Sequence, residues 1–170
     1  PDYSSAASDV YKRQDLSIYE DSFRQGFDYF YGSPKDYRIL ALLPSYLERE
    51  GSSLVYMCNQ LIKDSQHPQS GFYLNNLKDL SEILSQNCDS KTLLIGVSYA
   101  LLDLAEQFPQ QLKNTIVMET GGMKGKRQEM IKSELHQKLK SSFHVLHIHS
   151  EYGMTELLSQ AYSKEGGIFE

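Results

Sequence analysis

Short apolar segments alternate with longer, helix-like segments along most of this chain, and this alternation limits the fold more than any other feature. The apolar segments cover residues 38–43, 71–74, 92–97, 114–119 and 144–149. Their apolar residues follow one another instead of alternating with polar ones, which is typical of strands buried on both faces of a parallel sheet. We therefore predict an α/β fold with a parallel, Rossmann-like sheet covered by helices.

The segments between these strands have apolar residues three or four positions apart, as amphipathic helices do. Tyr19, Phe23 and Phe27 share one face of the first predicted helix, and Gly32 and Pro34 end it. Later helices are predicted from the apolar positions within residues 54–62, 77–84, 98–108 and 130–139. Each is long enough to connect two parallel strands.

Composition narrows the classes of function. The net charge of −5 argues against a nucleic-acid-binding surface, which is usually basic. No apolar run approaches the roughly 18–20 residues that a membrane span needs. Cys58 and Cys88 are far apart and form no Cys-x-x-Cys pair, which favours a reduced, cytoplasmic compartment.

The first 14 residues do not fit the rest of the chain. PDYSSAASDVYKRQ has no periodicity and no apolar core of a signal peptide, and it resembles translated sequencing-adapter sequence. We expect residues 1–14 to be non-native and residues 15–170 to be one partial domain. The native protein is then expected to begin before Asp15 and to continue beyond Glu170.

Three polar segments follow predicted strands. They cover residues 44–51, 120–125 and 150–156. Ligands of open α/β sheets lie beyond the carboxyl ends of the strands, so we expect these segments to meet at one edge.

Gly121 and Gly122 follow the fourth predicted strand. Glycines allow a planar ligand to approach the backbone closely, and a following helix would present free N–H groups to an anion. The segment ETGGMKG nevertheless matches neither the phosphate-binding G-x-x-x-x-G-K-[ST] pattern nor G-x-G-x-x-G. A tight strand-to-helix turn is the structural alternative.

The segment SEYGMTE, residues 150–156, carries the parts of a magnesium–nucleotide site. Tyr152 can stack on a base, Gly153 permits close approach, and the hydroxyl of Thr155 can donate to a phosphate oxygen. Glu156 offers the carboxylate oxygens that Mg²⁺ prefers. The alternative is a helix cap, in which Thr155 or Ser150 begins a helix over residues 156–162.

Two other groups of residues are candidates for a functional role. His147 and His149 lie two positions apart on a predicted strand and would share a face, but a metal site needs a third ligand. Ser98, in the segment GVSYA, half-matches the nucleophile elbow G-x-S-x-G of serine hydrolases. The structural readings are a half-buried histidine pair and a helix N-cap at Ser98.

Together these motifs resemble those of the adenylate-forming superfamily, which includes acyl-CoA synthetases, luciferases and nonribosomal adenylation domains. YGMTE resembles the Tyr-Gly-x-Thr-Glu motif of that superfamily, GGMKG its glycine turn against adenine, and LLPSY and GVSYALLDLAEQ its acyl-pocket segments. Residues 118–139 and 148–163 are most similar to the acyl-protein synthetase branch, the fatty-acid-activating component of bacterial luminescence reductase. The resemblance covers residues 15–170.

This resemblance implies a fragment of the large N-terminal domain of an adenylate-forming enzyme. Tyr152 would pack on adenine opposite Gly121 and Gly122, and Thr155 would bind the α-phosphate. Glu156 would be the Mg²⁺ ligand. The remaining expected nucleotide contacts are Met123, Glu151, Gly153 and Met154, and the expected acyl-pocket residues are Tyr46 and Ser98.

The implied reaction is ATP-dependent activation of a fatty or other carboxylate as acyl-AMP, followed by transfer to a thiol, with an acyl-accepting reductase as a partner. The family's phosphate loop would precede Asp15, and its catalytic lysine and acyl-accepting cysteine would follow Glu170. Residues 15–170 alone are therefore expected to be inactive. Two alternatives stay open: a serine esterase of the α/β-hydrolase type using Ser98, and a non-catalytic nucleotide-binding domain.

Overall fold

A computed structural model describes residues 16–44, 52–123, 125–128, 130–154 and 159–169 of the chain. The described residues form a six-stranded sheet in the order β2-β1-β3-β4-β5-β6. The strands are β1 (Tyr37–Leu42), β2 (Gly71–Phe72), β3 (Lys91–Val97), β4 (Thr115–Thr120), β5 (Ile148–Met154) and β6 (Ser159–Ser163). The first five pair in parallel, and β6 pairs with β5 in the antiparallel direction. The predicted α/β class with a mostly parallel sheet is confirmed.

Helices connect the parallel strands. Within the described residues these connecting helices are α2 (Ser53–Ser65), α3 (Leu77–Ser85), α4 (Ser98–Gln107) and α5 (Lys132–Phe143), whereas α1 (Leu16–Tyr31) and a 3-10 turn at Pro34–Asp36 precede β1. Local chemistry sets several of their ends: Ser52 and Asn76 cap α2 and α3 through their side chains, and Gly32 follows α1 with a positive φ of 83°. In the part of the chain that the structure describes, none of these helices is both long and apolar enough to cross a bilayer.

The last part of the chain differs from the sequence prediction. The strand predicted at 144–149 begins at Ile148 and continues to Met154, because α5 extends to Phe143 and ends in a left-handed residue, His144. Ser150 therefore lies within a strand, and Ser159–Ser163 is a strand as well. The alternative of a helix over residues 156–162 capped by Ser150 or Thr155 is wrong for the described part of that range.

The core lies on both faces of the sheet. The strands β1, β3 and β4 contribute almost wholly buried residues, as consecutive apolar positions predict. Phe23 and Phe27 of α1, Met57 and Cys58 of α2, and Phe143 of α5 pack into the same apolar cluster. Burial raises the pKa of the Cys58 thiol well above its usual range. Cys58 is thus a core residue.

The core is tightly packed around Gly96. A Cβ atom at Gly96 would lie 2.7 Å from Cβ of Leu42 on the neighbouring strand and 3.1 Å from Cγ of Leu101 on α4. Because the clash with Leu42 is close to the backbone, we expect Gly96→Ala to lower the free energy of unfolding by about 1–3 kcal/mol. Urea unfolding measures this change. A Cβ at Gly122 would meet nothing within 4 Å, so Gly122→Ala should be near neutral; equal stability of both variants would contradict the packing described.

Candidate nucleotide site at the sheet edge

The carboxyl ends of β4 and β5 lie side by side, with Thr120 opposite Glu151 in the register. The chain then turns away from β4 at Gly121, whose φ of 65° is in the left-handed region that glycine adopts without strain. Met123 is buried, and its carbonyl accepts a hydrogen bond from the N–H of Lys126 at 2.9 Å. Gly122 itself faces open space. The turn therefore leaves its backbone accessible at the edge of the sheet.

The side chain of Ser98 stabilises this turn by a hydrogen bond. Its side chain is buried, and its hydroxyl donates to the carbonyl oxygen of Gly121 at 2.8 Å. The prediction that Ser98 is the N-cap of the helix is wrong: the N-cap of α4 is Val97, and Ser98 is the first helical residue. Among the described residues no histidine nitrogen contacts the Ser98 hydroxyl, so the serine–base contact of a hydrolase is not formed there.

Glu119 is the centre of a buried polar cluster one residue before Thr120. It is 3% exposed, and its Oε1 accepts from Ser150 Oγ at 2.6 Å and pairs with Lys132 Nζ at 3.0 Å. His136 Nε2 lies 3.4 Å from the same oxygen. Burial favours the neutral acid, but the hydrogen bonds of His136, Ser150 and Lys132 and the charge of Lys132 outweigh it and hold the pKa of Glu119 below its usual range.

Glu151 is a second buried carboxyl group at this edge, with quite different partners. Its Oε2 accepts from the hydroxyl of Thr120, and its Oε1 accepts from Nε2 of Gln160 on β6, each at 2.5 Å. Burial, together with the nearby charge of Glu119, raises the pKa of Glu151 to about 7. The buried Gln160 Oε1 has no hydrogen-bond partner among the described residues. Glu151 thus links β4 to β6 across β5.

Tyr152 is an exposed aromatic residue near the end of β5. It is 55% exposed, and the centre of its ring lies 6.0 Å from that of Phe169. Lys132 Nζ lies 5.0 Å from the centre of the Phe169 ring. At Gly153 an added Cβ would come within 3.0 Å of Gln160 Oε1, so only glycine fits without a shift of the glutamine. The end of β5 therefore presents an exposed aromatic ring, and the neighbouring strand β4 ends at the glycine turn.

Some predicted site residues lie outside the described residues. These are Tyr46, Thr155 and Glu156, and for Met154 the structure gives only its backbone position at the end of β5. The structure places the remaining predicted residues at the carboxyl ends of the adjacent strands β4 and β5, and Ser98 donates to the turn after β4. These residues are Gly121, Gly122, Met123, Glu151, Tyr152 and Gly153.

The two histidines have separate partners. His149 is partly buried, and its Nδ1 lies 3.1 Å from the hydroxyl of Tyr31. His147 precedes β5, is exposed, and pairs with Glu165 at 3.1 Å. The described part of the chain contains no cluster of three histidine, cysteine or carboxylate side chains that could hold a metal ion.

Sequence reasoning missed Glu119, Lys132, His136 and Gln160 as members of this edge. One signal was present: Glu119 interrupts an apolar strand, and a buried carboxylate requires partners. The identity of those partners depends on the crossing of α5 over the sheet, which periodicity does not give.

No family model, no curated protein and no solved structure matches this chain.

Proposed function

We propose that residues 15–170 are part of the N-terminal domain of an adenylate-forming enzyme, most similar to the acyl-protein synthetases. One observation carries the proposal: the glycine turn after β4 and the exposed Tyr152 of β5 lie at the carboxyl ends of two adjacent parallel strands. This is the edge at which open α/β sheets bind ligands. The resemblance of YGMTE to the Tyr-Gly-x-Thr-Glu motif supports a nucleotide as the ligand.

In this proposal the adenine lies between the face of Tyr152 and the backbone of Gly121 and Gly122. The open space at Gly122 and the exposed tyrosine ring fit a flat base. Glu151 and Ser98 do not touch the base; they hold β5 and the glycine turn in place through Thr120 and the Gly121 carbonyl.

The proposed reaction joins a carboxylate oxygen of a fatty or other acyl acid to the α-phosphorus of ATP. The bond to pyrophosphate breaks, acyl-AMP forms, and a thiolate then takes the acyl group and releases AMP. Thr155 would donate to the α-phosphate, and Glu156 would hold Mg²⁺, which offsets negative charge on the phosphate oxygens. An acyl-accepting reductase is the proposed partner, and the phosphate loop and catalytic lysine would come from outside residues 15–170.

Binding of AMP to this chain tests the site itself. Because stacking of a base on an aromatic ring is worth about 1–3 kcal/mol, Tyr152→Ala should weaken AMP binding about tenfold or more. Tyr152→Phe should keep most of the affinity, since the ring remains. Isothermal titration calorimetry with AMP measures both.

Tyr29→Ala is the matched control, because Tyr29 is 83% exposed on α1 and lies outside the proposed site. Equal AMP affinity of the Tyr152→Ala and Tyr29→Ala proteins would contradict stacking at Tyr152.

A further inference from the structure

Arg38 is a buried cation at the opposite edge of the sheet. It is the second residue of β1, and it is 2% exposed. Its hydrogen-bond partners are neutral: Nε and Nη2 donate to the hydroxyl of Thr92, and Nη1 donates to Gln69 Oε1 at 3.1 Å and to the carbonyl of Ile83 at 3.2 Å. These bonds use four of the five N–H groups of the guanidinium.

No carboxylate balances this charge among the described residues, whose ion pairs all involve other cations. Buried arginines are normally paired with an anion, since removing a charge from water is costly and neutral hydrogen bonds offset only part of that cost. One N–H group of Nη2 is also left over for a further acceptor. Both features point to an anion that the described residues do not supply.

A cavity of about 350 Å³ lies beside Arg38. Lys113 adds a second positive charge to its lining, and most of the remaining lining is polar, including the amide side chains of Gln86, Gln110 and Asn114. Among the residues that the structure describes, no aspartate or glutamate lines it. The cavity is large enough for a small ligand. Arg38, Lys113 and Gln86 carry N–H donors for the ligand's oxygen atoms, whereas the amides of Gln110 and Asn114 already donate to Ser81 and Ser90.

We propose that this cavity, the Arg38 pocket, binds a small oxyanion, either a phosphate or a carboxylate group. The guanidinium offers its positive charge and the one remaining N–H group of Nη2, and the exposed Lys113 adds a second positive charge that attracts the ligand. Arg38 and Asn114 lie at the amino ends of β1 and β4, whereas the candidate nucleotide site lies at the carboxyl ends. The Arg38 pocket is therefore a second site, independent of the proposed adenylation.

Cys88 provides a reporter inside this pocket. It lines the cavity, and its Sγ lies 3.6 Å from Nε2 of His67. The backbone N–H of Gln69 donates to Nδ1 of His67, so a neutral His67 carries its proton on Nε2 and donates it to the sulfur. The other cysteine, Cys58, is buried in the core. Alkylation of the folded chain should therefore report on Cys88 alone.

The test measures the rate at which iodoacetamide, a neutral reagent, alkylates Cys88 while inorganic phosphate or succinate is added at constant ionic strength. Occupancy of the pocket should slow alkylation saturably, about tenfold at a ligand concentration ten times Kd. Protection by phosphate alone identifies a phosphate ligand, and protection by succinate alone identifies a carboxylate. Absence of saturable protection by either anion would overturn the proposal.

Variants then show whether the pocket cations are responsible. Arg38→Gln, if circular dichroism shows it to be folded, should abolish the protection; persisting protection would overturn the proposal. If Arg38→Gln does not fold, Lys113→Gln decides: it should raise the half-saturating concentration about twofold to fivefold, the scale of one exposed charge. Lys78→Gln, an exposed lysine on α3 that does not line the pocket, is the matched control, and equal responses of the two lysine variants would overturn the proposal.

Discussion

Replacing Glu156 with glutamine is expected to slow acyl-adenylate formation about a hundredfold or more in the protein translated from the complete reading frame. The proposal gives Glu156 the task of holding Mg²⁺ against the phosphates. Glutamine has nearly the same shape but no charge, so the cation that offsets the developing negative charge would be bound weakly. Release of pyrophosphate at saturating ATP and fatty acid measures the effect. Thr155→Val should cause a loss of the same order, because it removes the donor to the α-phosphate.

Glu82→Gln is the matched control for this experiment. Glu82 is an exposed carboxylate on α3, away from the carboxyl edge of the sheet. Removal of the Glu82 charge should leave the rate of acyl-adenylate formation unchanged. Unchanged rates for Glu156→Gln and Thr155→Val would instead favour the non-catalytic nucleotide-binding alternative.

Replacing Glu151 with glutamine is expected to stabilise the protein by about 3 kcal/mol at about pH 8. In the folded chain the pKa of Glu151 is raised to about 7 from an ordinary 4.5, mainly because the carboxyl group is buried. Between these two values the native state holds a proton that the unfolded state has lost. The stability that this proton contributes is fully present below the unfolded pKa and is lost as the pH rises through the folded pKa.

Glutamine keeps the shape of the protonated acid and carries no charge at any pH. Its amide can also donate to Gln160 Oε1, which has no partner among the described residues, once the Gln160 amide has turned over. Urea unfolding between about pH 5 and about pH 8 should therefore show the gap between Glu151→Gln and the parent widening as the pH rises.

In the same experiment, replacing Glu119 should change the stability in the opposite direction from replacing Glu151. The pKa of Glu119 is held below the ordinary range, so its contribution to stability is present above the unfolded pKa and is lost as the pH falls through the folded pKa. Glu119→Gln should therefore destabilise the protein at neutral pH. If Glu151→Gln proved less stable than the parent at about pH 8, Glu151 would not be the buried acid described here.

The sequence predicted most of the sheet because its central strands are unambiguous. Residues 92–97 form all but the first residue of β3, and 114–119 lie within one residue of β4, since consecutive apolar residues can only be buried from both sides. The last strand was misplaced because Ser150, Glu151 and Gly153 are poor strand formers by type. Tertiary contacts override this preference: Ser150 and Glu151 are satisfied by Glu119, Thr120 and Gln160.

The candidate site was predictable only in part. Parallel strands place their carboxyl ends at one edge of the sheet, so the positions of the Gly121 turn and of Tyr152 at the same edge could be predicted. The role of Ser98 could not be predicted from the sequence. A serine at a strand-to-helix junction is usually a helix N-cap, but here its hydroxyl donates to the carbonyl oxygen of Gly121. The burial of Arg38 could not be predicted from the sequence either, because an arginine at the start of an apolar strand is usually exposed and its burial is seen only in the structure.

The most direct test of the proposed function is exchange of radiolabelled pyrophosphate into ATP by the protein translated from the complete reading frame, with and without a fatty acid. Exchange reverses the first half-reaction, so it reports acyl-AMP formation without any acyl acceptor. The proposal predicts exchange that requires both Mg²⁺ and the fatty acid and that falls about a hundredfold in Glu156→Gln. Absence of fatty-acid-dependent exchange over a series of chain lengths and other carboxylates, by a protein that still binds AMP, would contradict it.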